Sequence, residues 1–215
     1  MPILFDTSGL QQTGPDIWDS PRTGDRVIRQ YTPGVPTIPA PLEDLPALRR
    51  ELAEASAERG CLIEAHVVSF ADLPALVRFE KVPHWNRPHG LIYTASIIVP
   101  RATGAASLLV LCAENGPTGY RDVTVAARTG IDAAHPPHPY APDRASALPY
   151  SAADDARWDP EFPDHALTRA RRWFAELART ARLDPHFAAL PPFTGPIPDF
   201  PGMTPLSDPP PSWLR

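Results

Sequence analysis

Two stretches decide the fold of this 215-residue chain: Leu73-Pro74-Ala75-Leu76-Val77-Arg78-Phe79-Glu80-Lys81-Val82 and Leu91-Ile92-Tyr93-Thr94-Ala95-Ser96-Ile97-Ile98-Val99. In the first, Ala75, Val77 and Phe79 alternate with Arg78 and Glu80, the period of two that a strand with one buried face requires. The second is rich in β-branched and aromatic residues, which suit a pleated surface. Working outward, Cys61 to Phe70 is a strand candidate before them and Ser107 to Ala113 one after. Ala71-Asp72 and Arg101-Ala102-Thr103-Gly104 are tight turns, and Pro83 to Gly90 is a longer hairpin tip. None of these is long enough for a parallel crossover, so the four strands form an antiparallel meander.

Helices flank the meander. Leu45, Leu48, Leu52 and Ala55 recur at helical spacing behind a capping Asp44 and a first-turn Pro46, and Arg59-Gly60 closes the helix with a residue suited to a left-handed cap. A second helix is expected from His165 to about Leu183, capped by Asp164. Its apolar stripe is Leu167, Ala170, Phe174, Leu177 and Ala181, and Arg169, Arg171, Arg172, Arg179 and Arg182 are read as a solvated face. Gly119 to Arg128 reads equally as helix or strand. The expected fold class is α+β: an antiparallel sheet of four or more strands, with a helix before it and a long helix after it.

Proline sets the boundaries. The chain holds 30 prolines, sparse in 42–130 and absent from 164–184. Proline lacks a backbone donor and is excluded from helix interiors and central strands. The reading is a proline-rich extended arm over 1–41, an α+β domain over 42–184 that includes a proline-rich excursion at 131–163, and a second extended arm over 185–215. Ile17, Trp18, Val27, Ile28 and Tyr31 in the first arm are expected to pin it in shallow surface pockets. Phe187, Leu190, Phe193, Ile197, Phe200, Met203, Leu206, Trp213 and Leu214 do the same for the last, since a flexible linker has no use for such side chains.

Charge and composition exclude several classes. Lys+Arg 20 against Asp+Glu 25 gives a net charge of -5, which argues against nucleic acid or an anionic membrane as partner. The start, Met1-Pro2-Ile3-Leu4-Phe5-Asp6, has neither the basic end nor the apolar run of a secretory signal, so a cytoplasmic protein is expected. Two cysteines, Cys61 and Cys112, are too few for a disulfide framework and are read as buried thiols in neighbouring strands.

The order of elements over about residues 42–130 resembles that of the PsbP-like domains, small α/β/α proteins with a central antiparallel sheet. The matching residues are Leu73-Pro74-Ala75 leading into Val77-Arg78-Phe79, then Gly90-Leu91-Ile92-Tyr93, then Ser107-Leu108-Leu109-Val110-Leu111. The proline-rich ends and the Glu161-Phe162-Pro163-Asp164-His165 segment depart from that pattern. The resemblance implies an accessory or binding protein; the family has no shared catalytic set, so no site residue carries over.

Polar and aromatic groups concentrate at Glu80-Lys81-Val82-Pro83-His84-Trp85-Asn86-Arg87-Pro88-His89. His84, Trp85, Arg87 and His89 are expected to contact a protein partner, joined by Tyr120 and Arg121 from the turn that begins at Glu114, since Trp, Tyr and Arg are the usual interface anchors. The expected function is a non-enzymatic bacterial binding or accessory protein, of immunity or secretion type, without cofactor or metal. A second reading is a small metal-dependent or hydrolytic enzyme using Glu64, His66, His84 and His89. A third is a structural subunit whose arms embrace another copy in a homo-oligomer. His135 and His138, separated by two prolines, and the alternate pair Cys112 and Glu114 lack partners in the sequence. No Gly-x-Ser-x-Gly, HExxH, paired CxxC or phosphate-loop motif occurs.

Overall fold

In a computed structural model, residues 1–196 are described. The strands are β1 (Ile3–Leu4), β2 (Gln11–Gly14), β3 (Ile17–Asp19), β4 (Arg26–Pro33), β5 (Cys61–Phe70), β6 (Leu73–Pro83), β7 (Leu91–Arg101), β8 (Gly104–Ala113) and β9 (Arg182–Leu183). The helices are α1 (Leu45–Ser56), α2 (Tyr120–Thr129), α3 (Ala166–Thr180) and the short α4 (Pro185–Ala188). Seven strands form one antiparallel sheet in the order β2-β3-β4-β8-β7-β6-β5, and β1 pairs with β9 separately. The fold is α+β, and its centre is the predicted meander β5–β8.

The alternation assigns the faces. Val77 and Phe79 of β6, Tyr93, Ala95 and Ile97 of β7, and Leu108, Val110 and Cys112 of β8 point to one side, where α3 covers them. On that side Phe79 meets Phe174 edge to face with ring centroids 5.7 Å apart. On the other side, α1 lays Leu48 and Leu52 over Leu62, Ala65 and Leu76, together with Ile38, Ala40, Leu42 and Phe193. The second layer stops there: Arg78, Glu80, Thr94, Leu109 and Leu111 remain only half-buried.

Several sequence expectations are corrected. The N-terminal segment does not lie on the surface: β2, β3 and β4 extend the sheet beyond β8, and Val27 and Ile28 are buried in it. The pairing is possible because β2 and β3 contain no proline and β4 has one only at its last position, Pro33, while Pro15 and Pro21 fall between strands. Gly119–Arg128 resolves as helix: α2 opens on Gly119 at φ 73, so Val123 and Val125 yield to a helical neighbourhood. Gly60 has no left-handed role, since α1 ends at Ala57 in ordinary helical geometry. A Cβ at Gly60 would instead fall on the Lys81 carbonyl oxygen, so only glycine lets the α1–β5 connection pass β6.

α3 is capped by His165, whose Nδ1 accepts the Leu167 N–H at 3.2 Å, and not by Asp164. The helix stops at Thr180 because Arg182–Leu183 turns into the strand that pairs with Ile3–Leu4. Cys61 and Cys112 are both buried free thiols, but they lie on β5 and β8 with two strands between them, not on neighbouring strands. Phe187 and Phe193 of the last arm are buried, whereas Ile197, Phe200, Met203, Leu206, Trp213 and Leu214 fall outside the described residues.

Candidate functional site

The polar groups divide into three sets. The first is a buried ionic layer between the closed face of the sheet, α3 and the 131–163 segment. Lys81 Nζ donates to Asp154 Oδ2 at 2.7 Å, with side chains 4% and 2% exposed. Arg169 forks onto Asp25, which also accepts from Thr23 Oγ1 and Trp173 Nε1. Arg171 engages Glu64 and Asp159. Arg121 donates to the Ala153 and Asp155 carbonyls, to Asp159 and to Thr168. Every one of these cations is satisfied internally, as buried charge requires. Burial pushes the Asp154 carboxyl above its usual range, against the opposing pull of the Lys81 ammonium and the Ser151 N–H.

This layer corrects two expectations. Arg121, expected to meet a partner, is 1% exposed and holds α2 to the 131–163 segment. Arg169 and Arg171 do not belong to a solvated face. The signal was present in the periodicity: Lys81 follows Val77 and Phe79 at spacing two and so points inward, and Arg169 lies three residues after Ala166 on the buried edge of α3.

The second set lies at one end of the sheet, where the hairpin tip and the turn before α2 come together. Leu91 N–H donates to Glu114 Oε2 at 2.9 Å, and Glu114 N–H donates to Leu91 O at 2.9 Å. A Cβ built on Gly90 would sit 3.7 Å from Thr118 Oγ1. These contacts seat the base of the tip that carries His84, Trp85, Arg87 and His89 against the turn that leads into Tyr120. Trp85 is 43% exposed, Tyr120 62% and Val123, one turn along α2, 70%. Arg87 and His89 are exposed and His84 is half-buried, its Nδ1 accepting the Asn86 N–H.

A cleft of about 230 Å³ opens beside this end, lined by Glu114, Tyr120, Phe162 and His165. His165 Nε2 is buried without a hydrogen bond, 3.7 Å from Glu114 Oε1. Because Nδ1 accepts the cap N–H, the neutral ring carries its proton on Nε2, so this nitrogen is a donor and not a general base.

The four residues of the enzyme reading do not converge. Glu64 lies 3.0 Å from His66 and is engaged by Arg171. His66 pairs with Val77 across β5 and β6, whereas His84 follows Val77 by seven residues, roughly 23 Å at a strand's rise of ~3.3 Å per residue. Among the described residues, no three of His, Cys, Asp and Glu are grouped as metal ligands. The other singled-out histidine, His138, is structural: Nε2 donates to Leu62 O at 2.7 Å on the edge strand β5, and Nδ1 accepts the Tyr140 and Ala141 N–H groups. Burial lowers its pKa.

The third set is the half-covered face itself. A cavity of about 450 Å³ there is bounded by Arg59, Arg78, Glu80, Leu109, Leu111 and Trp85. A second, of about 310 Å³, shares Arg78 and continues past Ile98 and Ser107. Cys61 also borders the larger cavity; burial raises its thiol to about 11, so it is protonated and unreactive at neutral pH.

No protein-family model and no curated protein matches this chain. Among the described residues no helix is long and apolar enough to cross a membrane.

Proposed function

We propose that this chain is a non-enzymatic protein-binding protein, an accessory factor of immunity or secretion type, that grips its partner with the end of the sheet where the hairpin tip meets the start of α2. One observation carries this reading: Trp85, Tyr120 and Val123, three large apolar side chains, stand exposed on adjoining segments, rimmed by His84, Arg87 and His89. Aromatic anchors surrounded by polar groups are the composition of interface centres. The segments beneath are anchored by two hydrogen bonds between Leu91 and Glu114, one to the Glu114 carboxylate, and by the buried Arg121, so the surface is presented on a rigid base. The accessory role implied by the PsbP-like pattern belongs to the same proposal.

Peptides selected from a displayed random library against the full chain test it. The expected result is that selected binders lose at least about tenfold in affinity for Trp85→Ala or Tyr120→Ala, as truncation of an anchor does. Binders that retain full affinity for both variants overturn the proposal.

A further inference from the structure

Among the described residues four side-chain polar atoms are buried without a hydrogen bond, Arg78 Nε, Ser96 Oγ, Arg101 Nε and His165 Nε2, and two of them, Arg78 Nε and Ser96 Oγ, lie together on the half-covered face. Arg78 and Ser96 are directly opposite one another across β6 and β7, and Ser96 is opposite Leu109 across β7 and β8. The Arg78 Nε and the Ser96 Oγ are both buried with no hydrogen bond. Ser96 is only 6% exposed. A buried hydroxyl or guanidinium N–H left unpaired costs about 1–3 kcal/mol or more, so such atoms persist where something else uses them.

These groups define which ligand chemistry would suit them. Arg78 Nε–H can only donate, and the Ser96 hydroxyl is free to donate. Glu80, the carboxylate among the described residues of the cavity lining, is 3.9 Å from Arg78 Nη1, beyond hydrogen-bond reach. Arg59 adds a second positive charge at the rim. Two donors with a second guanidinium at the rim suit an acceptor carrying negative charge. A monoanion with two acceptor oxygens matches one guanidinium edge and one hydroxyl, whereas a phosphate would press further oxygens against Glu80. From Arg78 the larger cavity runs along Leu109 and Leu111 to Trp85, an apolar wall for a hydrocarbon chain, and its volume falls in the range of small-ligand sites.

We propose that this face binds a small amphiphilic monocarboxylate, the carboxylate on Arg78 and Ser96 and the hydrocarbon chain on Leu109, Leu111 and Trp85. Arg78, whose side chain is 27% exposed, lines the cavity, whereas Ser96 beside it does not, so the head group reaches the Ser96 hydroxyl only when the Arg78 side chain moves aside. The site shares Trp85 with the docking surface, but its head-group end, Arg78 and Ser96, lies in the middle of the sheet, so Arg78→Met and Ser96→Ala, which leave Trp85 and Tyr120 in place, separate a failure of this proposal from a failure of that one.

Calorimetric titration of the full chain with decanoate and with decanol tests it. Decanoate is expected to bind at least about tenfold more tightly than decanol, and Arg78→Met to remove about tenfold or more of the decanoate affinity, the effect of one charge-assisted hydrogen bond. Ser96→Ala is expected to weaken decanoate about two- to tenfold while raising the urea midpoint, because it deletes a buried hydroxyl that has no partner. Equal affinity for acid and alcohol, or no measurable binding of decanoate, overturns the proposal. So does unchanged decanoate affinity in Arg78→Met or, should that variant not fold, in Ser96→Ala.

Discussion

The two faces of the seven-stranded sheet are made from alternate residues of the same strands, yet they treat charge in opposite ways. On the closed face Lys81, Arg121, Arg169 and Arg171 meet Asp154, Asp159, Asp25 and Glu64 in a layer where each cation has an acceptor. On the half-covered face Arg78, one position along β6 from Phe79, has no hydrogen bond at its buried Nε. The four cations beneath α3 are hydrogen-bonded to carboxylates, whereas Arg78 on the open side has only Glu80 at 3.9 Å and no partner at Nε, as Arg101 Nε and His165 Nε2 also have none. The difference teaches that counting arginines or histidines does not locate a site; what matters is which of them the fold leaves unsatisfied.

The largest expected effect tests the closed side. Asp25→Ala leaves the Arg169 guanidinium without its carboxylate and also strips Trp173 and Thr23 of their acceptor, and should lower stability by about 3–5 kcal/mol in urea denaturation. A loss under about 1 kcal/mol would mean that the layer is not a structural one.

Next comes a pH effect on the edge strand. Burial depresses the His138 pKa below its ordinary 6.5, so the unfolded chain takes up this proton before the folded one. Stability from this residue is therefore complete above 6.5 and is lost as pH falls through the window beneath it. Protonating Nδ1 would also break its bonds from Tyr140 and Ala141. His138→Asn should flatten the fall of the urea midpoint with acidification, and an unaltered slope would contradict that assignment.

A smaller contrast separates the thiols. Burial raises both, Cys112 well above the ordinary range and Cys61 to about 11, but only Cys61 borders the open-side cavity. In single-cysteine variants at mild alkaline pH, a maleimide should label Cys61 slowly and Cys112 more slowly still, both becoming fast in denaturant. Equal native rates would show the two faces to be equally closed. The smallest effect belongs to the rim: Trp85→Ala should shift stability by no more than about 0.5 kcal/mol, since a half-exposed tip residue away from the core carries little folding energy.

Much of this was legible in the amino-acid order. The alternation in Leu73–Val82 and the β-branched run Leu91–Val99 identify the meander, and Asp44 with the Leu45, Leu48, Leu52 spacing identifies α1, because local periodicity and capping are written locally. The pairing of β4 with β8 was not legible. Val27 meets Val110 across a long separation, and nothing in Arg26–Pro33 names its partner. Of the residues expected to meet a partner, His84, Trp85, Arg87, His89 and Tyr120 are accessible to differing degrees and gathered at one end, while Arg121 is buried. Tyr120 and Arg121 are adjacent, and only the helical turn of α2 decides which of them faces outward. The Arg78–Ser96 site went unread because it requires the register of two strands together with knowledge of which half of the sheet α1 fails to cover.

The ribbon that joins Ile3–Leu4 to Arg182–Leu183 bears on how the protein is made. Ile3 is fully buried, and Asp184 N–H donates to Pro2 O, so this segment has no resting place until residues near 184 have been made. The hairpins β5–β6, β6–β7 and β7–β8 need only neighbouring sequence and can close during synthesis, whereas β4 must wait for β8 and β1 for the end of α3. The meander β5–β8 can therefore close before β1 and β4, made earlier, find their partners.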